Sequence, residues 1–251
     1  MSAIASSLAP EAVHPLLRGA FGEPYLYEAE CHSTQDLLRG SGLPEGAVAA
    51  TDHQTGGRGR SGRAWEDAPG SALLFSVLLR PPTAEPQLSL VCAAAVAEAV
   101  ELTTELSVQV KWPNDVMLDR RKVAGILLEA EGDAVVCGIG LNVNQRREQL
   151  PADARMPAGS LRTVTGVEYD RASLLASVLE QLERYYRDWR EGGLDAVFAG
   201  IGSRNFLFGR RVRVDGRPGT AHAIARDGSL DVSLDDGSHL HVTTGEIEVE
   251  R

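Results

Sequence analysis

Residues 107–144 read SVQVKWPNDVMLDRRKVAGILLEAEGDAVVCGIGLNVN, and this stretch decides the fold class. Val108 and Val110 alternate with Gln109 and Lys111, the two-residue period of a strand. Pro113 has no N–H to give a central ladder, so the backbone must leave regular pairing there. Polar turns at LDRRK and AEGDA then divide the remaining apolar run into three β segments, a meander. Helical spacing flanks it on both sides. PQLSLVCAAAVAEAVEL lies upstream, and Arg171 to Trp189 repeats the pattern through Leu174, Leu175, Val178, Leu179, Leu182, Tyr185 and Tyr186. Helices framing a mixed, largely antiparallel sheet make the chain α+β rather than alternating βαβ.

Working outward, EAVHPLLRGAFG predicts a short helix ending at Gly19, and Pro24 to Glu30 alternates like a strand. STQDLLRGSG predicts a helix capped by Ser33, with Asp36 in the capping-box position and exits at Gly40 and Gly42. GAVAATDHQ and SALLFSVLLRP read as buried strands, the second ending before Pro81. Composition shifts near Phe206. From there short alternating strands are punctuated by Gly216, Gly228, Gly237 and Gly245, the pattern of a small β-barrel. Two domains are expected, 1–204 and 205–251.

The bulk numbers narrow the function. The chain has 251 residues, 43% hydrophobic and 24% charged, with a net charge of −10. A polybasic membrane or nucleic-acid-coating protein would not repel its own partner in this way. Cys31, Cys92 and Cys137 are odd in number and far apart, which fits core residues in a reducing compartment. The first residues, MSAIASSLAP, lack the basic start and apolar run of a signal peptide, and no stretch approaches the ~20 apolar residues of a membrane span. A soluble, cytoplasmic protein is expected.

Against that acidic background, TGGRGRSGRAW sets Arg58, Arg60 and Arg63 among glycines. Gly57 to Gly62 matches G-x-G-x-x-G, but RAWEDAPG follows, where a dinucleotide site needs a helix. There is no H-R-D, D-F-G or P-loop string for a kinase or nucleotide triphosphatase. What remains is physical: glycines free backbone N–H groups to cradle an anion, and arginines add forked donors. Lys111, just before the Pro113 break, is aimed toward a cleft. Gly138 and Gly140 thin a strand so that something can approach closely, and Asn142 and Asn144 follow.

Together these segments resemble the biotin protein ligase family. The matching elements are CHSTQ (31–35), HQTGGRGRSGRAW (53–65), KWPNDVML (111–118), KVAGILLE (122–129) and GIGLNVN (138–144), and the resemblance extends over roughly Tyr25 to Arg251. It departs at Gln35, where the family has Asn. The resemblance implies a class II synthetase-like catalytic domain with a C-terminal SH3-like β-domain. It implies an ATP-dependent ligase that makes biotinyl-5′-AMP and passes biotin to a lysine of a biotin carboxyl-carrier protein. Only 32 residues precede Ser33, so the monofunctional form, without a DNA-binding domain or a nucleic-acid partner, is expected.

Roles carry over residue by residue. Lys111 and Arg60 are the catalytic candidates, with Lys111 between the biotin carboxylate and the α-phosphate. Ser33, Thr34, Gln54, Arg58 and Gly59 join them around biotin. Arg58, Arg60, Arg63, Trp65, Asn114, Lys111 and Asn142 face ATP or AMP, Trp65 by stacking on adenine. Mg²⁺ would ride on the phosphates with no dedicated protein ligand, Asp115 being an outer helper at most. Lys122 is expected in solvent, and His239 and His241 as surface residues. The rival readings are a lipoate or octanoate ligase or transferase on the same scaffold, and a non-catalytic biotin- or nucleotide-binding regulator.

Overall fold

The meander forms as four antiparallel strands in the computed structural model, which describes residues 7–82, 86–152 and 156–250. The large sheet contains β1 (Tyr25–Cys31), β2 (Val48–Gln54), β3 (Ala72–Leu79), β4 (Val108–Lys111), β5 (Asp115–Leu118), β6 (Arg121–Glu131) and β7 (Ala134–Asn142). Their order across the sheet is β1-β2-β3-β7-β6-β5-β4. Only β1 and β2 run parallel; the other neighbours are antiparallel. The mixed, largely antiparallel sheet expected from the sequence is therefore present.

Alternation gives the sheet two different faces. Leu73, Phe75, Val77 and Leu79 of β3 and Val135, Cys137, Ile139 and Leu141 of β7 point into the main core. The helices are α1 (Pro10–Val13), α2 (Thr34–Leu38), α3 (Leu88–Thr104), α4 (Leu161–Thr165) and α5 (Arg171–Gly202). Of these, α3 and α5 pack on each other over the core face. The run Cys92 to Ala97 in α3 is wholly buried, and its small side chains let the helix lie close to its neighbours. The sequence predicts a helix only to Trp189. The observed one breaks at Gly193 (φ 65°) and continues, burying Leu194, Val197 and Ile201.

The opposite face carries α2, a smaller apolar cluster around Leu38, Ala49, Leu78 and Val136, and the site. The expected capping box does not form here. Ser33 occupies the N-cap, but its side chain makes no capping bond. The Asp36 carboxylate instead accepts two hydrogen bonds from Arg58, at 3.1 and 2.9 Å. Bonds between ionised partners are about twice as strong as neutral ones, so the guanidinium wins over a backbone N–H.

The C-terminal strands β8 (Arg211–Val214), β9 (Arg217–Ile224), β10 (Leu230–Leu234), β11 (His239–Val242) and β12 (Ile247–Val249) form a separate antiparallel sheet, ordered β11-β10-β9-β8-β12. It is fastened to the large sheet at two points. Val110 N–H donates to Arg204 O (2.7 Å) and Phe206 N–H to Val110 O (3.0 Å). Trp112, 1% exposed, donates its indole N–H to Gly228 O at 3.0 Å. The three cysteines are free and buried.

Candidate active site

The site begins with what is missing from β6 and β7. Gly125 and Gly140 face each other across the two strands. A Cβ on Gly140 would stand 2.4 Å from Trp65 Cε2, and one on Gly125 would stand 3.2 Å from Cζ3. Gly138 is covered in the same way by the Gln35 amide, at 2.8 Å. The glycines do admit a close approach, and in this structure the approaching groups are the protein's own Trp65 and Gln35. The Trp65 indole N–H is buried and has no acceptor among the described residues.

Above this floor lies a cleft of about 810 Å³, a size suited to a small-molecule site. All eleven site residues expected from the sequence line it: Ser33, Thr34, Gln54, Arg58, Gly59, Arg60, Arg63, Trp65, Lys111, Asn114 and Asn142. At one end, the Thr34 backbone N–H donates to Gln54 Oε1 at 2.9 Å, and the Thr34 hydroxyl lies 2.8 Å from that of Ser76. Because Oε1 must face that N–H, the Gln54 amide nitrogen is left for a ligand. Ser33 is 2% exposed, and its hydroxyl is not spent on capping the helix.

The glycine-arginine loop arches over the cleft as a short hairpin, closed by a bridge between Arg58 and Ala64 and by Gly59 N–H donating to Arg63 O at 2.7 Å. Each arginine has a protein partner. Arg58 pairs with Asp36 and with Glu129, the latter at 3.2 Å. Arg60 Nη1 donates to Asn114 Oδ1 (3.1 Å) and Nη2 to Gly245 O (3.0 Å), so one side chain spans from the β4–β5 turn to the C-terminal sheet. Arg63 pairs with Glu246.

Lys111 differs from all of these. It is 7% exposed and has no ion-pair partner among the described residues. Burial pulls its pKa below the ordinary lysine value; Asp115 and Glu246 act the other way, while Lys122 and Arg60 add to the depression. Asn114 and Asn142 spend their amides inside the protein. Asn114 donates to Ile126 O at 2.7 Å, and Asn142 donates to Gly159 O at 3.0 Å while accepting from Gln145 at 2.8 Å. They build part of the cleft wall.

Residues 29–144 match the model of the biotin/lipoate A/B protein ligase family. The chain is 34% identical over 210 residues to the biotin–[acetyl-CoA-carboxylase] ligase of Mycobacterium tuberculosis, covering 80% of this chain and 74% of that one. A solved biotin protein ligase from Aquifex aeolicus, in complex with biotin and ATP, superposes with a TM-score of 0.82 at 32% identity, covering 90% of this chain and 98% of that one. The chain belongs to the biotin protein ligase family. It is also 34% identical over 187 residues to the bifunctional ligase/repressor BirA of Bacillus subtilis, and there it spans 58% of the relative's length.

Some of the site was not foreseen. Lys122, expected in solvent, lines the cleft: its Nζ lies 2.6 Å from Asp115 Oδ1 and 6.0 Å from the Trp65 ring centroid. The β5–β6 register shifts between Val116 and Met117, and such a shift re-aims side chains without any mark in the sequence. The segment 246–249 of the C-terminal sheet and residues 151, 152, 156 and 158 also line the cleft. His241 is exposed and bonds Asp231 at 2.5 Å, away from the cleft. No cluster of three metal-binding side chains occurs among the described residues, and no helix there is long and apolar enough to cross a membrane.

Proposed function

We propose that this chain is an ATP-dependent biotin ligase working in two half-reactions. First a carboxylate oxygen of biotin bonds to the α-phosphorus of ATP. The bond to the β-phosphate oxygen breaks, and pyrophosphate leaves biotinyl-5′-AMP behind. Then the ε-amine of an acceptor lysine bonds to the acyl carbon, the acyl–phosphate bond breaks, AMP leaves, and the amine gives up its proton. The acceptor is a biotin carrier domain of a biotin-dependent carboxylase, and the reaction belongs in the cytoplasm.

Lys111 carries this reading: a buried ammonium with no ion-pair partner among the described residues, in a cleft roofed by arginines. Two anions must meet for the first step. Unit charges 4 Å apart repel by about 4 kcal/mol at an effective dielectric of 20, and a cation between them reverses the sign. Lys122 stands ready to share that role, since its bond to Asp115 can be exchanged for one to substrate. The Ser33 hydroxyl, Thr34 and the Gln54 amide suit the polar head group of biotin. Arg58, Gly59 and Arg60 close over the carboxylate and acyl phosphate, Arg63 over the phosphates, and Trp65 beside the adenine. Asn114 and Asn142 hold the walls of the nucleotide end. Mg²⁺ fits as an ion carried on the phosphates and water, where it neutralises charge. In this reading residues 1–204 are the catalytic domain and 205–251 an SH3-like β-domain that completes the rim.

Incubation with ATP, Mg²⁺, a carrier domain and either biotin or lipoate, followed by mass spectrometry, tests the proposal. Biotin attachment is expected. Attachment of lipoate alone, or no pyrophosphate release with biotin, would overturn it.

A further inference from the structure

Arginines in this chain usually end on a carboxylate: Arg80 on Asp133, Arg184 on Glu98, Arg211 on Asp235. Arg60 in the roof does not, and neither do four in two turns near the cleft. Arg120 and Arg121 in the β5–β6 turn, and Arg146 and Arg147 just after β7, form no ion pair with any described carboxylate. One strip of chain holds one arginine from each turn. Arg121 packs its Cβ 2.8 Å from where a Gly159 side chain would begin, and Arg147 donates to Ala158 O at 3.1 Å. The same strip is pinned to the site wall, because Lys122 N–H donates to Pro157 O (2.8 Å) and Gly159 N–H to Lys122 O (3.0 Å). Lys122 and Ala158 both line the cleft. Two turns carrying four arginines, against Asp119 and Glu148, thus sit beside the strip that lines the cleft, on a chain of net charge −10.

The backbone supplies a second observation. Asp119 and Arg120 form the two-residue turn between Leu118 and Arg121, with φ of 48° and 59°. Asparagine and glycine suit such a left-handed turn, and arginine is strained there. Among the described residues five non-glycine positions keep such a φ, Ser61, Glu105, Asp119, Arg120 and Asp215, and Arg120 is the one cation of the five.

We propose that these four arginines are the docking rim for the acidic face of the protein domain that brings the acceptor lysine, an assignment that rests on the ligase reading. Spread over two exposed turns outside the cleft, they suit several carboxylates on a folded surface better than one small anion inside it. The rest of the chain repels an acidic partner, so the rim also orients its approach.

The test compares the unaltered protein, R120E/R146E and R120K/R146K, chosen because these two side chains hold no wall residue. Three rates are measured: pyrophosphate release with biotin and ATP, hydroxylamine trapping of the adenylate, and transfer to a purified biotin carrier domain of net negative charge. For R120E/R146E the first two should match the unaltered protein. Its carrier kcat/KM should fall about tenfold at low salt, through KM, with the gap closing at high salt and the lysine variant close to normal. Unchanged carrier transfer would overturn the docking rim. An equal fall in pyrophosphate release would overturn it too, by assigning the arginines to the nucleotide. No pyrophosphate release from the unaltered protein would instead remove the ligase reading beneath it.

Discussion

The roof and the interior of the cleft hold their positive charge in opposite ways. Arg58, Arg60 and Arg63 in the roof are all engaged by carboxylates or by amide and peptide oxygens. Lys111 is buried with no ion-pair partner among the described residues. A substrate anion meeting the roof exchanges one partner for another, so the net gain is modest and the contacts can reverse. An anion meeting Lys111 finds a charge whose desolvation was met during folding, and the whole attraction is available to it. On the proposed reading the roof opens and closes, and the interior stabilises charge.

The largest break in this contrast should come from Lys111→Gln and Lys122→Gln. Each is expected to slow biotinyl-AMP formation on the order of 10²–10³-fold, the loss usual for a donor aimed at developing charge. Single-turnover pyrophosphate release checks it, and a near-normal rate for Lys111→Gln would move the catalytic role to Lys122. Arg60→Gly cuts both clasps of the roof, to Asn114 and to Gly245, and should speed release of the intermediate by about tenfold or more while adenylation still proceeds. A filter assay with labelled biotin would show the intermediate retained if that role is wrong.

Gly140→Ala should force Trp65 off the sheet and destabilise the protein by about 1–3 kcal/mol, as overpacking does, with a rise in KM for ATP. Denaturant midpoints and initial rates report both effects.

Lys111→Met works in the other direction: it should raise the melting temperature of the ligand-free protein by ~2–4 °C, for about 1 kcal/mol of relieved burial. The pH dependence follows from the same depressed pKa. Between that value and the ordinary ~10.4, the unfolded chain binds more protons than the folded one, so stability rises with pH, and the methionine variant should lose that rise. The smallest effect belongs to Glu246→Gln. It weakens the partly exposed pair with Arg63, worth ~0–1 kcal/mol, and should raise tryptic cleavage after Arg58 and Arg60 by no more than about fivefold.

Much of this contrast was legible from residue types and their spacing. Alternation placed Val108 and Val110 inward and Lys111 on the other face, Pro113 marked where the ladder ends, and Gly138 and Gly140 announced a close approach. What escaped depends on contacts distant in sequence. Asp36 looked like a local cap because its partner, Arg58, lies 22 residues away across the fold. Lys122 looked solvated because a register shift in β5–β6 has no signature in residue type. Glu246 meets Arg63 across 183 residues, through a docking of two sheets that neither strand pattern encodes.

Trp65 resting on bare glycine backbone also gives the protein a built-in optical probe. The chain has three tryptophans. Trp112 and Trp189 are 1% and 4% exposed, and their indole N–H groups are bonded to Gly228 O and Gln87 Oε1. Trp112 touches the cleft wall but is held by that bond, and Trp189 lies outside the cleft lining. Trp65 lies half-buried in the same cleft, and of the three it alone has an indole N–H without an acceptor among the described residues. Emission from the unlabelled protein should therefore track occupancy of the cleft mainly through Trp65, over the steadier signal of Trp189.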